Sequence, residues 1–145
     1  MNRTAYSLLL YLLMPLILLR LLWRGVRAPH YWRRWGERFG LYRGEKLEVQ
    51  VWLHAVSVGE FIAAIPLIRA LIETVPPSQI LVTTTTPTGS ARVQSELGDS
   101  VHHVYLPYDL PDAVSRFLKY FNPALAIMME TELWPNLFHA CGQQK

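Results

Sequence analysis

Two acidic stretches could do chemistry in this chain. In His54-Ala55-Val56-Ser57-Val58-Gly59-Glu60 a carboxylate stands where a short apolar run (Val49, Val51, Leu53) gives way to a long apolar helical pattern from Phe61 onward. In Glu130-Thr131-Glu132-Leu133-Trp134-Pro135-Asn136 two carboxylates follow Met128-Met129, just ahead of a helix start. Ligands of open α/β sheets bind in the crevice beyond the carboxyl ends of the strands. Glu60 is therefore the candidate for the chemistry. Glu130 comes too early to belong to a first helical turn and is expected to point into the same crevice. Two carboxylates in one cleft can have their pKa values pushed apart, which suits acid–base work. They share that cleft if strand 4 lies beside strand 1, as in a 3-2-1-4 order.

Each stretch also has a purely structural reading. Ser57-Val58-Gly59-Glu60 is S-x-x-E ahead of an apolar run, a capping box in which Ser57 caps the helix and Glu60 returns the bond. Glu132 suits a first helical turn, where the helix dipole stabilises an acid. Gly59 at a strand–helix junction permits close approach of a substrate to the backbone. Thr86-Pro87 reads as an N-cap followed by a proline at the first helical position, although free hydroxyls and backbone N–H groups there could also hold a polar ligand. Asp109 reads as a turn or cap residue. His102 and His103 are neighbours in a strand pattern and should face opposite ways, which argues against a shared metal. No G-x-G-x-x-G or Walker pattern is present, so ordinary dinucleotide or P-loop binding is unsupported. The one cysteine, Cys141, has no partner for an internal disulfide and reads as a small buried hydrophobe in a reducing compartment.

The elements that must position these residues follow from hydrophobic patterning. Strands are predicted at Val49–His54, Ile80–Thr85, Val101–Leu106 and Leu125–Met129. Helices are predicted at Gly59–Thr74, Thr88–Leu97, Leu110–Tyr120 and from about Pro135. Strands separated by helices indicate βαβ units and a parallel sheet. Phe61, Ile65, Ile68 and Ile72 form one stripe with Ile62 and Leu71 beside it, so the first of these helices is expected to be largely buried, with a kink at Pro66.

Charge and hydropathy divide the chain. The net charge is +3 over 145 residues, yet residues 1–48 hold nine Lys/Arg against three Asp/Glu, and the remainder five against eight. Sixteen uncharged residues separate Arg3 from Arg20. Thr4 to Trp23 would make a helix of about 30 Å, enough to cross a bilayer core. A cleavable signal peptide is the rival reading, but Val26-Arg27-Ala28 is followed by Pro29 and crowded by arginines. Arg20 near the end of the segment and the six arginines that follow it up to Arg43 outnumber the one that precedes it, Arg3, which places the body on the cytoplasmic side. Residues 23–43 interleave arginine with Trp23, Tyr31, Trp32, Trp35, Phe39 and Tyr42. Directly after an anchor this pattern favours anionic lipid headgroups over nucleic acid.

Taken together and in order, the apolar N-terminus, Arg33-Arg34-Trp35-Gly36-Glu37-Arg38, the His54–Glu60 stretch, Thr86-Pro87-Thr88-Gly89 and the Glu130–Asn136 stretch resemble the 3-deoxy-D-manno-octulosonic acid (Kdo) transferases of lipopolysaccharide biosynthesis. The resemblance implies an α/β fold: the Rossmann-like N-terminal half of a GT-B glycosyltransferase, preceded by a membrane-anchor helix. It implies a membrane anchor over 1–24, a basic and aromatic juxtamembrane segment over 25–47, and an acceptor-binding domain over 48–145. That domain is expected to be incomplete, because the chain stops four strands in and the C-terminal donor domain is absent. The implied reaction is inverting, metal-independent and free of cofactors. Kdo moves from CMP-Kdo to the lipid A precursor lipid IV-A at the cytoplasmic face of the inner membrane. Glu60 is implied as general base and Glu130 as a support for the transition state. His54, Ser57, Gly59, Glu132 and Asn136 are implied on the acceptor side. Without a donor domain the chain alone is expected to be inactive. A non-catalytic, membrane-tethered lipid-binding module or an inactive fragment remains the alternative.

Overall fold

The computed structural model describes residues 2–130, 132 and 134–143. The chain divides into two compact units. One comprises residues 1–42, 107–118 and 133–145, and the other residues 43–106 and 119–132.

The second unit is the α/β part. Its sheet consists of β1 (Val51–His54), β2 (Ile80–Thr84), β3 (His102–Tyr105) and β4 (Leu125–Met128), in the order β3-β2-β1-β4. All three pairings are parallel, with His54 opposite Thr83 on one side and Met128 on the other. The observed order meets the condition that strand 4 lie beside strand 1, and each strand lies inside its predicted run. β1 and β2 are buried throughout because they are the two central strands. β4 is an edge strand, and Leu125 on it is 52% exposed.

Two helices of this unit follow those central strands. With α1 kept for the N-terminal helix, they are α2 (Val58–Thr74) and α3 (Pro87–Leu97). Phe61, Ala64 and Ile68 of α2 pack with Leu53, Ile80, Val82, Val93 and Leu97 into one apolar core. Spacings of three and four put these α2 residues on a single face. The expectation that α2 is largely buried needs correction. Ile62 is 47% exposed and Leu67 is exposed as well, because a helix lying on a sheet covers one face only. The helix runs unbroken through Pro66. Thr86 caps α3, its Oγ1 accepting from the Gly89 N–H at 3.1 Å, with Pro87 in the first turn as expected.

The first unit is built on α1 (Arg3–Arg27), the start of α4 (Pro111–Phe121) and α5 (Pro135–Gln143). Between α1 and residue 42 the chain makes two short 3-10 turns, Pro29–Trp32 and Trp35–Phe39. Gly40 ends the second at φ +68°, and a Cβ there would stand 2.3 Å from the Ala113 carbonyl oxygen. Only glycine meets both demands. Arg116 locks the same corner by donating from Nε (3.1 Å) and Nη2 (2.8 Å) to the Phe39 carbonyl.

Asp109 organises the entry to α5. Its carboxylate oxygens accept from the backbone N–H groups of Asn136 (3.0 Å) and Leu137 (2.8 Å), two donors that the helix start leaves without intrahelical partners. Asp109 is thus a cap, as its sequence context suggests, but for a helix 26 residues further along the chain. Burial pushes its carboxyl above the usual range, against the lowering effect of the hydrogen bonds from Asn136, Leu137 and Tyr6. Cys141 on α5 is half-buried, and burial raises its thiol pKa.

Candidate active site

The carboxyl ends of β1 and β4 are neighbours in the sheet, so the turns that leave them are neighbours too. The first turn carries Ser57, Gly59 and Glu60. The second carries Glu130 and Glu132, while Thr131 and Leu133 lie outside the described residues.

Glu60 is held by its own turn. Ser57 Oγ accepts from the Glu60 N–H at 3.2 Å, the hydroxyl donates to Glu60 Oε1 at 2.8 Å, and Oε2 accepts from the Val56 N–H at 2.8 Å. This is the expected capping box, with the return bond shifted by one residue to Val56. A carboxylate has about four acceptor positions. The two used here leave room for a further donor, and Glu60 is only partly buried. Ser57 and Gly59 are exposed, and a Cβ at Gly59 would meet nothing nearer than Ser57 Oγ at 3.8 Å. The ground in front of the turn is open.

His54 closes β1 from below, 2% exposed. Its Nδ1 lies 2.8 Å from Thr83 Oγ1 and 3.2 Å from the Thr83 carbonyl oxygen, and its Nε2 faces Glu132 Oε2 at 3.3 Å. Trp52 Nε1 donates to the same Thr83 hydroxyl at 2.8 Å. Burial pushes the imidazole pKa below its ordinary value. Glu132, the Thr83 carbonyl and Glu60 pull the other way without overcoming it. Trp52, Thr83, His54 and Glu132 thus stand side by side in series, from the sheet interior to an acid at its edge.

The contact between His54 and Glu132 joins the two sequence motifs. It also corrects the helix-dipole reading of Glu132. α5 begins only at Pro135, so Glu132 precedes the first turn and is engaged by His54 instead. Glu130 is exposed in the turn after β4, where its carbonyl accepts from the Glu132 N–H at 2.9 Å. The threonine segment is tied to the first motif as well, through Thr85 Oγ1 donating to the Val56 carbonyl at 3.1 Å. Asn136 belongs to the other unit. It is 2% exposed, its Nδ2 donates to the Asp109 carbonyl at 2.6 Å, and its Oδ1 accepts from Ser7 at 3.0 Å.

Sequence reasoning did not assign Trp52 or Thr83 a part in the site. The available signal was a threonine in the buried register of a central strand, where a hydroxyl needs a partner. His102 and His103 have separate partners, Ser78 for the first and Thr84 with Ser90 for the second, as alternation along a strand requires. Among the described residues, no three His, Cys, Asp or Glu side chains converge to hold a metal ion.

Comparison with known proteins gives this arrangement its context. Over 141 residues the chain is 48% identical to the 3-deoxy-D-manno-octulosonic acid transferase of Haemophilus influenzae, covering 96% of this chain and 33% of that protein. Against the transferase of the same name from Bordetella pertussis the identity is 40% over 154 residues, covering 99% of this chain and 35% of the relative. The chain thus spans about a third of the length of these relatives. Residues 33–145 match the family described as 3-deoxy-D-manno-octulosonic-acid transferase (kdotransferase), a span that includes both acidic turns and every strand of the sheet. On that match the chain belongs to the Kdo transferase family.

Proposed function

We propose that this chain provides the acceptor side of a Kdo transfer reaction in lipopolysaccharide biosynthesis. CMP-Kdo is the donor, lipid IV-A is the acceptor, and Glu60 is the general base. An acceptor hydroxyl attacks the anomeric carbon of Kdo, and the bond from that carbon to the phosphate oxygen of CMP breaks. CMP leaves with the bonding electrons, Glu60 takes the hydroxyl proton, and the configuration inverts. A sugar hydroxyl is a weak nucleophile, and a positioned carboxylate contributes roughly 10²–10⁴ in rate.

The observation that carries this reading is the hold on Glu60. Its carboxylate is oriented by the Val56 N–H and the Ser57 hydroxyl while the turn in front of it stays open. Glu130, exposed on the adjacent turn, is assigned to support the transition state. Ser57 and Gly59 shape the acceptor side. Glu132 does so under the control of His54. Asn136, buried among Asp109 and Ser7, is assigned a structural part in place of direct acceptor contact. The reaction is placed at the cytoplasmic face of the inner membrane, where basic and aromatic side chains of residues 23–43 meet anionic lipid.

The test is to join this chain to the remaining two-thirds of the Haemophilus influenzae relative and measure transfer of labelled Kdo from CMP-Kdo to lipid IV-A. Transfer that disappears in Glu60→Ala is the expected result. Full transfer in that variant removes Glu60 as the base.

A further inference from the structure

α1 is long and apolar enough to cross a membrane. Its contacts describe a different placement. One stripe of the helix runs through Ser7, Met14, Leu21 and Gly25, with Ser7, Leu21 and Gly25 buried and Met14 half-buried. Near the N-terminus the attachments are polar. Tyr6 hydrogen-bonds to Asp109, Ser7 Oγ lies 3.0 Å from Asn136 Oδ1, and Tyr11 donates to Asp112 Oδ1 at 2.6 Å. Asp112 in turn pairs with Arg116 at 2.7 Å, and both side chains are about half exposed. Near the C-terminus the Trp32 indole occupies the space a side chain at Gly25 would need, 1.4 Å from where its Cβ would stand.

Ser7 and Gly25 are 18 residues apart, about 27 Å along a helix. Both ends are therefore seated on the same unit across a distance close to the thickness of a bilayer core. A spanning α1 with Arg24 and Arg27 at one surface would carry Tyr11 about 20 Å deeper. The Asp112–Arg116 pair would have to follow it into hydrocarbon or let go, and charged groups are strongly disfavoured there. Keeping the contacts of Tyr6, Ser7 and Tyr11 and crossing the bilayer exclude each other.

The opposite side of α1 is apolar and exposed. Leu8, Leu12, Leu16, Leu19 and Val26 form an exposed stripe, with Leu12 at 76%. At 3.6 residues per turn this stripe points nearly opposite to the docked one. Arg20, Arg24 and Arg27 lie on one flank between the two. The Arg24 guanidinium sits 5.2 Å from the Tyr31 ring and that of Arg27 4.2 Å from the Trp23 ring. An apolar face bordered by arginines and aromatics matches the boundary between acyl chains and anionic headgroups.

We propose that α1 lies in the plane of the membrane, its leucine stripe sunk into one leaflet of an anionic bilayer, with both ends on the same side as the rest of the chain. This placement is independent of the transferase reading and stands or falls on topology alone.

The test uses the full chain with Cys141→Ser and single Asn2→Cys or Ser100→Cys substitutions, labelled with a membrane-impermeant maleimide in intact spheroplasts and in sealed inverted vesicles. Both variants should react in the same preparation and be protected in the other. Reaction of Asn2→Cys from the opposite side overturns the proposal. A depth measurement covers the case of an unreactive N-terminus: Leu12→Cys and Val26→Cys carry an environment-sensitive fluorophore, and lipids bearing quenchers at graded depths are added. Equal depth profiles support the in-plane helix. A profile for residue 12 centred in the bilayer, with residue 26 at the surface, refutes it.

Discussion

Glu60 holds two roles in one side chain, and paired substitutions separate them. Ser57→Ala removes the hydroxyl that accepts from the Glu60 N–H at 3.2 Å and donates to its carboxylate. Loss of such a cap costs about 1 kcal/mol, within a range of roughly 0.5–2. Glu60→Gln keeps an oxygen to accept from the Val56 N–H, held at 2.8 Å in the wild type. It forfeits the charge assistance of that bond and a negative charge at the helix N-terminus, together about 1–2 kcal/mol. The two variants should therefore be destabilised to a similar degree. Denaturant unfolding followed by circular dichroism in detergent would measure this as comparable shifts of the midpoint. Transfer activity, measured in the joined protein described above, should separate them sharply. Glu60→Gln removes the proton acceptor and should lose roughly 10²–10⁴ in kcat. Ser57→Ala leaves the acceptor in place and should lose about tenfold or less, because the Val56 N–H still orients the carboxylate. Equal activity losses in the two variants would refute the reasoning and reduce Glu60 to a helix cap.

Other predictions follow from the same contacts. His54 has its pKa lowered by burial, so the unfolded chain takes up a proton first as pH falls through about 6.5. More protons bound in the unfolded state means that stability rises with pH across this window. Acidification from pH 7.5 to 5 should destabilise the wild type more steeply than His54→Gln, and denaturant melts over that range would show it; parallel curves would contradict the assignment. Asp109→Ala strands the buried N–H groups of Asn136 and Leu137 and should cost about 1–3 kcal/mol, with faster amide hydrogen exchange in the first turn of α5. Gly40→Ala imposes a left-handed conformation on a residue with a Cβ and drives that Cβ into the Ala113 carbonyl. A loss of at least about 1–3 kcal/mol is expected, read as a lowered thermal midpoint.

The acidic turns show how far sequence reasoning reaches. The capping box was legible because Ser57 and Glu60 are three residues apart and helix geometry alone brings them together. The order of the strands was only narrowed, because parallel strands with helical crossovers allow few arrangements, and that β4 lies beside β1 was decided by the tertiary structure. The part Glu132 plays was not legible. Proximity to a helix start suggested a dipole interaction, but its partner His54 is 78 positions earlier and meets it only because β1 and β4 are adjacent. Asp109 was recognisable as a cap and not as the cap of α5, for the same reason.

The contrast is greatest at the N-terminus. Length and hydropathy marked residues 4–23 as a helix that prefers an apolar medium, and both properties belong to the segment itself. Which of its faces meets protein depends on Asp109, Asp112 and Asn136, each more than a hundred residues from its partner on α1. Local patterning determined the identity of the elements, because caps and periodicities act over a few residues. The pairing of His54 with Glu132 and the seating of α1 were decided by tertiary structure, because each joins groups that only the folded chain brings within bonding distance.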